Sequence, residues 1–317
     1  MRKGTNEARP TIETIYDGCW NTDVVAMPGI LTHDHSWLGP IMPILQNQGN
    51  VHSMLYGPGN FNPDLAVQEA IKKSQESLEI GHRTILLASS LGGDLAPFVA
   101  EGLKTAMNDD AVDLSAIILD APYGAETLCP LPKPLRSLMD KYPPTWQPGR
   151  IARAIGNKTV MAHLMTLPSG LPKLQETTYP KDSEGRALLM KLAYPYDELL
   201  HGSEPTDEQL FRAITEIAKT GLSDNDFSAY VTQIEYIIGA AKGGMLGEAI
   251  KSGLDGLAVY IMASELNGTV VQPFAKRKWL DQKPDMSVID IQSPHVATTQ
   301  MMPEWSAALS QAFEDLR

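Results

Sequence analysis

The sequence predicts an α/β protein built on a mostly parallel, doubly wound sheet that carries a helical insertion. Two patterns favour this fold. Short apolar strands alternate with amphipathic helices as far as Pro122, and strands return after a long stretch with helical character. With 317 residues, of which 43% are hydrophobic, the chain is long enough to bury a substantial core.

Each element in the first part of the chain follows from local pattern. Apolar runs rich in β-branched residues and bounded by Gly or Pro indicate strands, and apolar residues at helical spacing indicate helices. Asp64 is a candidate N-cap for one of these helices. The predicted strands are 23–27, 50–56, 83–89 and 114–122, and the predicted helices are 38–49, 64–78 and 92–107.

The pattern changes after Pro122. Residues 125–250 have helical spacing, Pro-rich loops and no strong β-branched run, which predicts a helical cap inserted into a core formed by 1–124 and 251–317. The core then resumes as a strand, a long loop, a second strand and a final amphipathic helix. These elements are predicted at 254–264, 265–282, 286–292 and 303–316.

Charge and cysteine content restrict the class of partner. The chain has 26 Lys and Arg against 38 Asp and Glu, and this net charge of -12 argues against binding to nucleic acid or an anionic membrane surface. Its two cysteines, Cys19 and Cys129, form neither a disulfide framework nor a metal-type pair. No signal peptide or membrane span is predicted. We therefore expect a cytoplasmic protein that acts on a small molecule.

A serine lies between small residues at the end of the predicted strand 83–89. The stretch Ala88-Ser89-Ser90-Leu91-Gly92 is followed by a second glycine and then by a helix. Glycine costs about 1 kcal/mol relative to alanine inside a helix, so two in succession indicate close approach of another backbone segment. Ser90 is therefore a candidate nucleophile in a tight turn, with a plain helix N-cap as the alternative.

The order of elements and this serine turn resemble the α/β-hydrolase superfamily over nearly the whole chain. Ala88-Ser89-Ser90-Leu91-Gly92 resembles the family's nucleophile elbow G-x-S-x-G, with Ala88 in place of the first glycine. The resemblance implies a serine hydrolase of the esterase, thioesterase or lipase type with Ser90 as its nucleophile. We expect it to use neither a cofactor nor a metal.

The resemblance also implies a histidine base. His295 lies in the loop between the last strand and the last helix, where the family keeps its catalytic histidine. His33 and His35, which follow the first predicted strand, are the competing candidates. A metal site at His33-Asp34-His35 would need further ligands that the sequence does not place. A surface position for His295 remains the alternative.

The acid of the triad has three candidates. Asp120 lies at the end of the run AIILD, within the predicted strand 114–122. An acid at this place resembles the thioesterase domains of fatty-acid and peptide synthetases and some lipases, which carry their acid at the end of that strand. Glu265 and Asn267 lie in a stretch similar to the family's S-E-x-D pattern, with Asn267 at the aspartate position. Asparagine cannot stabilise an imidazolium by charge, so we rank Asp120 first, Glu265 second and Asn267 third. A buried carboxylate needs a partner, for which His295 is a candidate. A turn or cap role for Asp120 stays open.

The remaining parts of the expected site are an oxyanion hole and an acyl pocket. The resemblance implies that the backbone N–H groups of Ile30 and Leu91 form the oxyanion hole. Apolar residues of the insertion would either line an acyl pocket or form the insertion's own core; they are Trp146, Met161, Leu164, Met165, Leu167 and Met190.

Two other functions remain open at this point. One is a non-catalytic ligand-binding protein of the same fold that lost its acid, as Asn267 would suggest. The other is an acyltransferase or C–C hydrolase that uses the same three groups.

Overall fold

A seven-stranded sheet forms the centre of the molecule. The computed structural model describes residues 9–30, 32, 34–108, 112–123, 229, 232–233, 236–237, 239–240, 244–264, 272–291 and 303–316. The strands are β1 (Thr11–Tyr16), β2 (Thr22–Met27), β3 (Asn50–Leu55), β4 (Arg83–Ser89), β5 (Leu114–Leu119), β6 (Ala258–Ser264) and β7 (Ser287–Ile291).

The sheet is parallel except at one edge. Its strand order is β1-β3-β2-β4-β5-β6-β7, and β1 alone pairs antiparallel with its neighbour, β3. All six residues of β5 are buried, which agrees with its apolar sequence and its place between two other strands. The carboxyl ends of the parallel strands share one edge, where Ser90 follows β4 and Asp120 follows β5.

Helices cover both faces of the sheet, as a doubly wound fold requires. A 3₁₀ helix at His35–Ile41 leads into α1. The α-helices are α1 (Met42–Leu45), α2 (Pro63–Glu79), α3 (Leu91–Met107), α4 (Met245–Gly253), α5 (Gln272–Gln282) and α6 (Pro303–Asp315). One core cluster joins the sheet to α2, α3, α4 and α5, and a second joins its other face to α1 and α6.

The structure confirms the predicted mostly parallel sheet with helices on both faces, and three local predictions were wrong. The predicted helix 38–49 is a 3₁₀ helix followed by the four-residue α1, with Pro40 and Pro43 in this stretch. The N-cap of α2 is Asn62, whose side chain accepts a hydrogen bond from the Leu65 N–H at 3.1 Å, and Asp64 lies in the first turn instead. The predicted loop 265–282 contains α5.

The predicted insertion 125–250 lies mostly outside the described residues. Near its end, the described residues between 229 and 240 are helical, and α4 packs against α3. The contact with α3 is close: a Cβ added at Gly253 would lie 2.1 Å from the Pro97 carbonyl oxygen. Within the part of the chain that the structure describes, no helix has the length and apolarity needed to cross a bilayer.

Candidate active site

Ser90 occupies a strained turn between β4 and α3. Its backbone has φ 49° and ψ −114°, in the positive-φ region that residues other than glycine rarely adopt. The Ser90 N–H donates to the Leu119 carbonyl at 2.7 Å, and the Ser90 carbonyl accepts from the Gly93 N–H at 2.8 Å. The Ser90 hydroxyl makes no capping hydrogen bond to α3, so the helix-cap alternative is not supported.

The two glycines after Leu91 allow this turn to pack against two other segments. A Cβ added at Gly92 would lie 2.4 Å from the Met27 carbonyl oxygen, and one added at Gly93 would lie 2.4 Å from the Ala121 Cβ. Ala88, which replaces the first glycine of the motif, is a fully buried residue of β4. The packing accommodates the methyl group of Ala88 but leaves no room for a methyl group at position 92 or 93.

The loop after β2 lies directly beside Ser90. A Cβ added at Gly29 would come within 3.3 Å of the Ser90 Cβ and 3.8 Å of its Oγ. The Pro28 carbonyl accepts a hydrogen bond from the Gly92 N–H at 3.0 Å. Leu91 begins α3, where helix geometry provides no intrahelical acceptor for its N–H and the helix dipole favours negative charge. The structure thus brings together Ser90, Leu91 and the loop that carries Ile30.

Asp120 lies at the same edge of the sheet and is fully buried. Its backbone has φ 50°, a conformation that Asp tolerates better than most residues, and its N–H donates to the Met262 carbonyl at 2.9 Å. One carboxylate oxygen accepts from the Ser264 N–H and the other from the Ser264 hydroxyl, each at 2.7 Å. These two donors fix the orientation of the Asp120 carboxylate. The preceding residue, Leu119, accepts the hydrogen bond from the Ser90 N–H through its carbonyl.

The other predicted site residues lie outside the described residues. These are the candidate base His295, the alternative acids Glu265 and Asn267, the competing histidine His33 and the predicted pocket residues of the insertion. His35 is described, and its Nε2 lies 3.2 Å from a carboxylate oxygen of Glu13 on the edge strand β1. Among the described residues, no group of three His, Cys, Asp or Glu side chains is arranged to hold a metal ion.

Sequence reasoning missed the residues that hold these groups in place. Ser264 binds Asp120 through two hydrogen bonds, Tyr56 donates its hydroxyl to the Pro28 carbonyl at 2.8 Å, and the Thr32 hydroxyl donates to the Gly29 carbonyl at 3.2 Å. The sequence gives a weak indication for Ser264, because this residue ends the strand that follows Asp120 along the chain. It gives no indication for Tyr56 and Thr32, because their hydrogen-bond partners are backbone carbonyls.

A second buried carboxyl lies one helical turn after Ser90. Asp94 is fully buried in the first turn of α3, and neither of its carboxylate oxygens has a hydrogen-bond partner among the described residues. The Tyr236 hydroxyl lies nearby and donates to the Asp94 backbone carbonyl at 3.4 Å. Burial raises the pKa of Asp94 well above its ordinary value of 3.8.

We expect Asp94 to make the protein less stable as the pH rises. The folded protein keeps a proton on Asp94 at pH values where the unfolded chain has released it, so stability falls with pH above about 4. Asp94→Asn removes this dependence. The melting temperature of the variant should exceed that of the wild type by a few degrees near neutral pH, and the difference should grow as the pH rises. Thermal melts between about pH 5 and pH 9 measure the difference.

The matched control is Glu101→Gln, which changes an exposed carboxyl on the same helix. We expect its melting temperature to follow that of the wild type at every pH. If Asp94→Asn and Glu101→Gln had the same pH profile, Asp94 would be ionised in the folded protein.

Comparison with known proteins shows which solved structures share this architecture. No family model matches the chain, and no curated protein matches it in sequence. Solved structures match in fold. One comes from a study of carboxylesterases of the ammonia-oxidizing thaumarchaeon Nitrososphaera gargenis. It has a TM-score of 0.55 at 13% identity, and the match covers 100% of this chain and 98% of that one. MenH from S. aureus has a TM-score of 0.54 at 13% identity, covering 97% and 98% of the two chains.

A third structure is a hydrolase from Pseudomonas aeruginosa PA01. Its TM-score is 0.55 at 13% identity, and the match covers 97% of this chain and 92% of that one. At such low identity, the agreement concerns the path of the backbone. Together with the sheet order and the strained serine turn between β4 and α3, it establishes that the chain has the α/β-hydrolase fold.

Proposed function

We propose that the protein is a serine hydrolase that cleaves carboxylic ester or thioester bonds through an acyl-enzyme on Ser90. The observation that carries this proposal is the strained backbone of Ser90, at φ 49° and ψ −114°, with the loop at Gly29 directly beside it. Strain of this kind persists at functional sites because the surrounding structure enforces it. The carboxylesterase and hydrolase among the structural neighbours support the same class of reaction.

In this proposal, His295 activates the serine. The imidazole takes the proton from the Ser90 hydroxyl as its oxygen attacks the acyl carbonyl, then gives the proton to the leaving group. Water repeats the cycle on the acyl-enzyme and releases the acid. Asp120 orients His295 and stabilises its protonated form, a role supported by the burial of its carboxylate and the two hydrogen bonds from Ser264.

The tetrahedral intermediate carries a negative charge on the former carbonyl oxygen. We assign its stabilisation to the backbone N–H groups of Ile30 and Leu91, helped by the positive end of the α3 dipole. Both donors are backbone groups, so the hole depends on the path of the loop and on the start of α3 rather than on particular side chains. Removal of one such donor in other enzymes lowers kcat by about 10²–10³.

The substrate would enter between this edge of the sheet and the insertion. We propose that residues 125–250 form a helical cap over the site and that its Met and Leu side chains bind an apolar acyl group. Methionine-rich surfaces adapt to varied apolar ligands, which favours a small-molecule acyl substrate.

A fluorophosphonate probe tests the proposal directly, because it reacts only with an activated serine. We expect the probe to label the purified protein at Ser90, with the modified peptide located by mass spectrometry. In His295→Ala the labelling should be lost, because no base remains to take the Ser90 proton.

Two results would contradict the proposal. An adduct on another residue would move the active site elsewhere. A folded protein that takes up no probe and hydrolyses no p-nitrophenyl ester would be a non-catalytic member of the fold.

A further inference from the structure

The Pro28 carbonyl is held by two donors from different parts of the core. The Tyr56 hydroxyl, which follows β3, donates to it at 2.8 Å, and the Gly92 N–H, in the first turn of α3, donates at 3.0 Å. Both bonds lie within normal hydrogen-bond geometry. They fix the plane of the Pro28–Gly29 peptide relative to the turn that carries Ser90.

The next peptide plane is fixed by a separate bond. The Thr32 hydroxyl donates to the Gly29 carbonyl at 3.2 Å. In a trans peptide the N–H of the following residue points opposite to that carbonyl, so this bond sets the direction of the Ile30 N–H. Of two consecutive peptides, the one that starts at Pro28 is therefore oriented by Tyr56 and Gly92 from outside the loop, and the next is oriented by the Thr32 side chain from within it.

We infer that Tyr56 is a positioning residue for the oxyanion hole: by holding the Pro28 carbonyl, it places the Ile30 N–H where the tetrahedral intermediate needs a donor. This inference rests on the proposed function, since it assigns a role within that reaction. Tyr56 does not touch the substrate and acts through the loop backbone. Thr32 assists by orienting the second peptide.

The environment of Tyr56 suits a fixed donor. Its side chain is 1% exposed, and burial raises the pKa of the phenol well above its usual value, so the hydroxyl keeps its proton at all working pH values. The ring packs edge-to-face against Phe61 at a centroid distance of 5.1 Å, and Phe61 packs in the same manner against Tyr236 at 5.8 Å. The Phe61 N–H donates to the Thr232 hydroxyl at 2.7 Å. The Tyr56 side chain is thus held by its ring packing as well as by its hydrogen bond.

Tyr56→Phe removes the hydroxyl and leaves the ring packing intact. With a p-nitrophenyl ester, we expect kcat to fall about tenfold while KM stays within about twofold, because the donor is misplaced in the transition state and substrate binding is unaffected. The inhibition constant of an aryl trifluoromethyl ketone, which forms a tetrahedral adduct with a serine nucleophile, should rise by the same factor. Thr32→Val should change both quantities in the same direction.

The matched control is Tyr260→Phe, since the Tyr260 hydroxyl, on β6, donates instead to Asp315 of α6 at 3.0 Å. We expect it to keep wild-type kcat and inhibitor affinity. If Tyr56→Phe lowered only the melting temperature and kept both kinetic quantities, Tyr56 would be merely structural and the inference wrong. If the wild type itself showed neither Ser90 labelling nor ester hydrolysis, the proposed function would fail first, and the inference with it.

Discussion

Replacing Ser90 with alanine should lower kcat/KM for an active ester by about 10⁴-fold or more while leaving the protein folded. The loss is large because the covalent route requires the Ser90 oxygen, and no other group in the turn replaces it. Alanine fits at this position because its methyl group occupies the space of the serine Cβ. Steady-state hydrolysis of p-nitrophenyl esters measures the effect, with thermal melting as the test of folding.

Ser53→Ala provides a matched control. Ser53 is a fully buried serine of β3 whose hydroxyl has no hydrogen-bond partner among the described residues, so its removal tests the effect of deleting a hydroxyl from the sheet. We expect its activity to equal that of the wild type. An unchanged hydrolysis rate in Ser90→Ala would show that the reaction takes place at another site.

Asp120→Asn should have the second-largest effect, a fall in kcat of about 10³–10⁴-fold. Asparagine keeps the shape of the side chain and one oxygen that accepts from Ser264, so the fold should persist. It lacks the charge that stabilises a protonated His295 and can favour the wrong tautomer of the ring. The measurement is kcat on the same esters, with Ser90 labelling followed in parallel.

Glu265→Gln distinguishes Asp120 from the alternative acid. We expect it to cost far less activity than Asp120→Asn, because in our proposal the carboxylate that reaches His295 comes from the end of β5. The reverse order of effects would assign the acid to the segment after β6. Equal and small effects would show that neither carboxyl is the acid of the triad.

The sequence predicted the fold where its signals are local. Buried parallel strands such as β4 and β5 are continuous apolar runs, and small residues around Ser90 indicated a sharp turn. The edge strand β1 was missed because its sequence, TIETIY, mixes polar residues with apolar ones, as suits a strand at the edge of the sheet that the structure describes. The helix α5 was missed because Pro273 and its charged residues suggested a loop, whereas Trp279 is fully buried against the core.

The candidate site was predictable only in part, for a related physical reason. Motif spacing predicts Ser90, Leu91 and Asp120 as site residues, since each lies next to the end of an apolar strand. The residues that hold these groups in position do so through tertiary contacts. Ser264 binds Asp120 across 144 residues, and the Tyr56 hydroxyl reaches Pro28 across 28. Contacts of this kind leave no periodic pattern in the chain, so only the folded structure identifies them.

The long connection between β5 and β6 joins two strands that are neighbours in the sheet. These strands pair in register from Ser115 with Ala258 to Leu119 with Met262, and α4 packs on α3 immediately before β6 begins. The sheet is therefore complete whatever sequence leads from one strand to the other. Over evolution, or by the exchange of one continuous segment between related chains, the segment that we propose as the cap can be replaced while Ser90 and Asp120 keep their places.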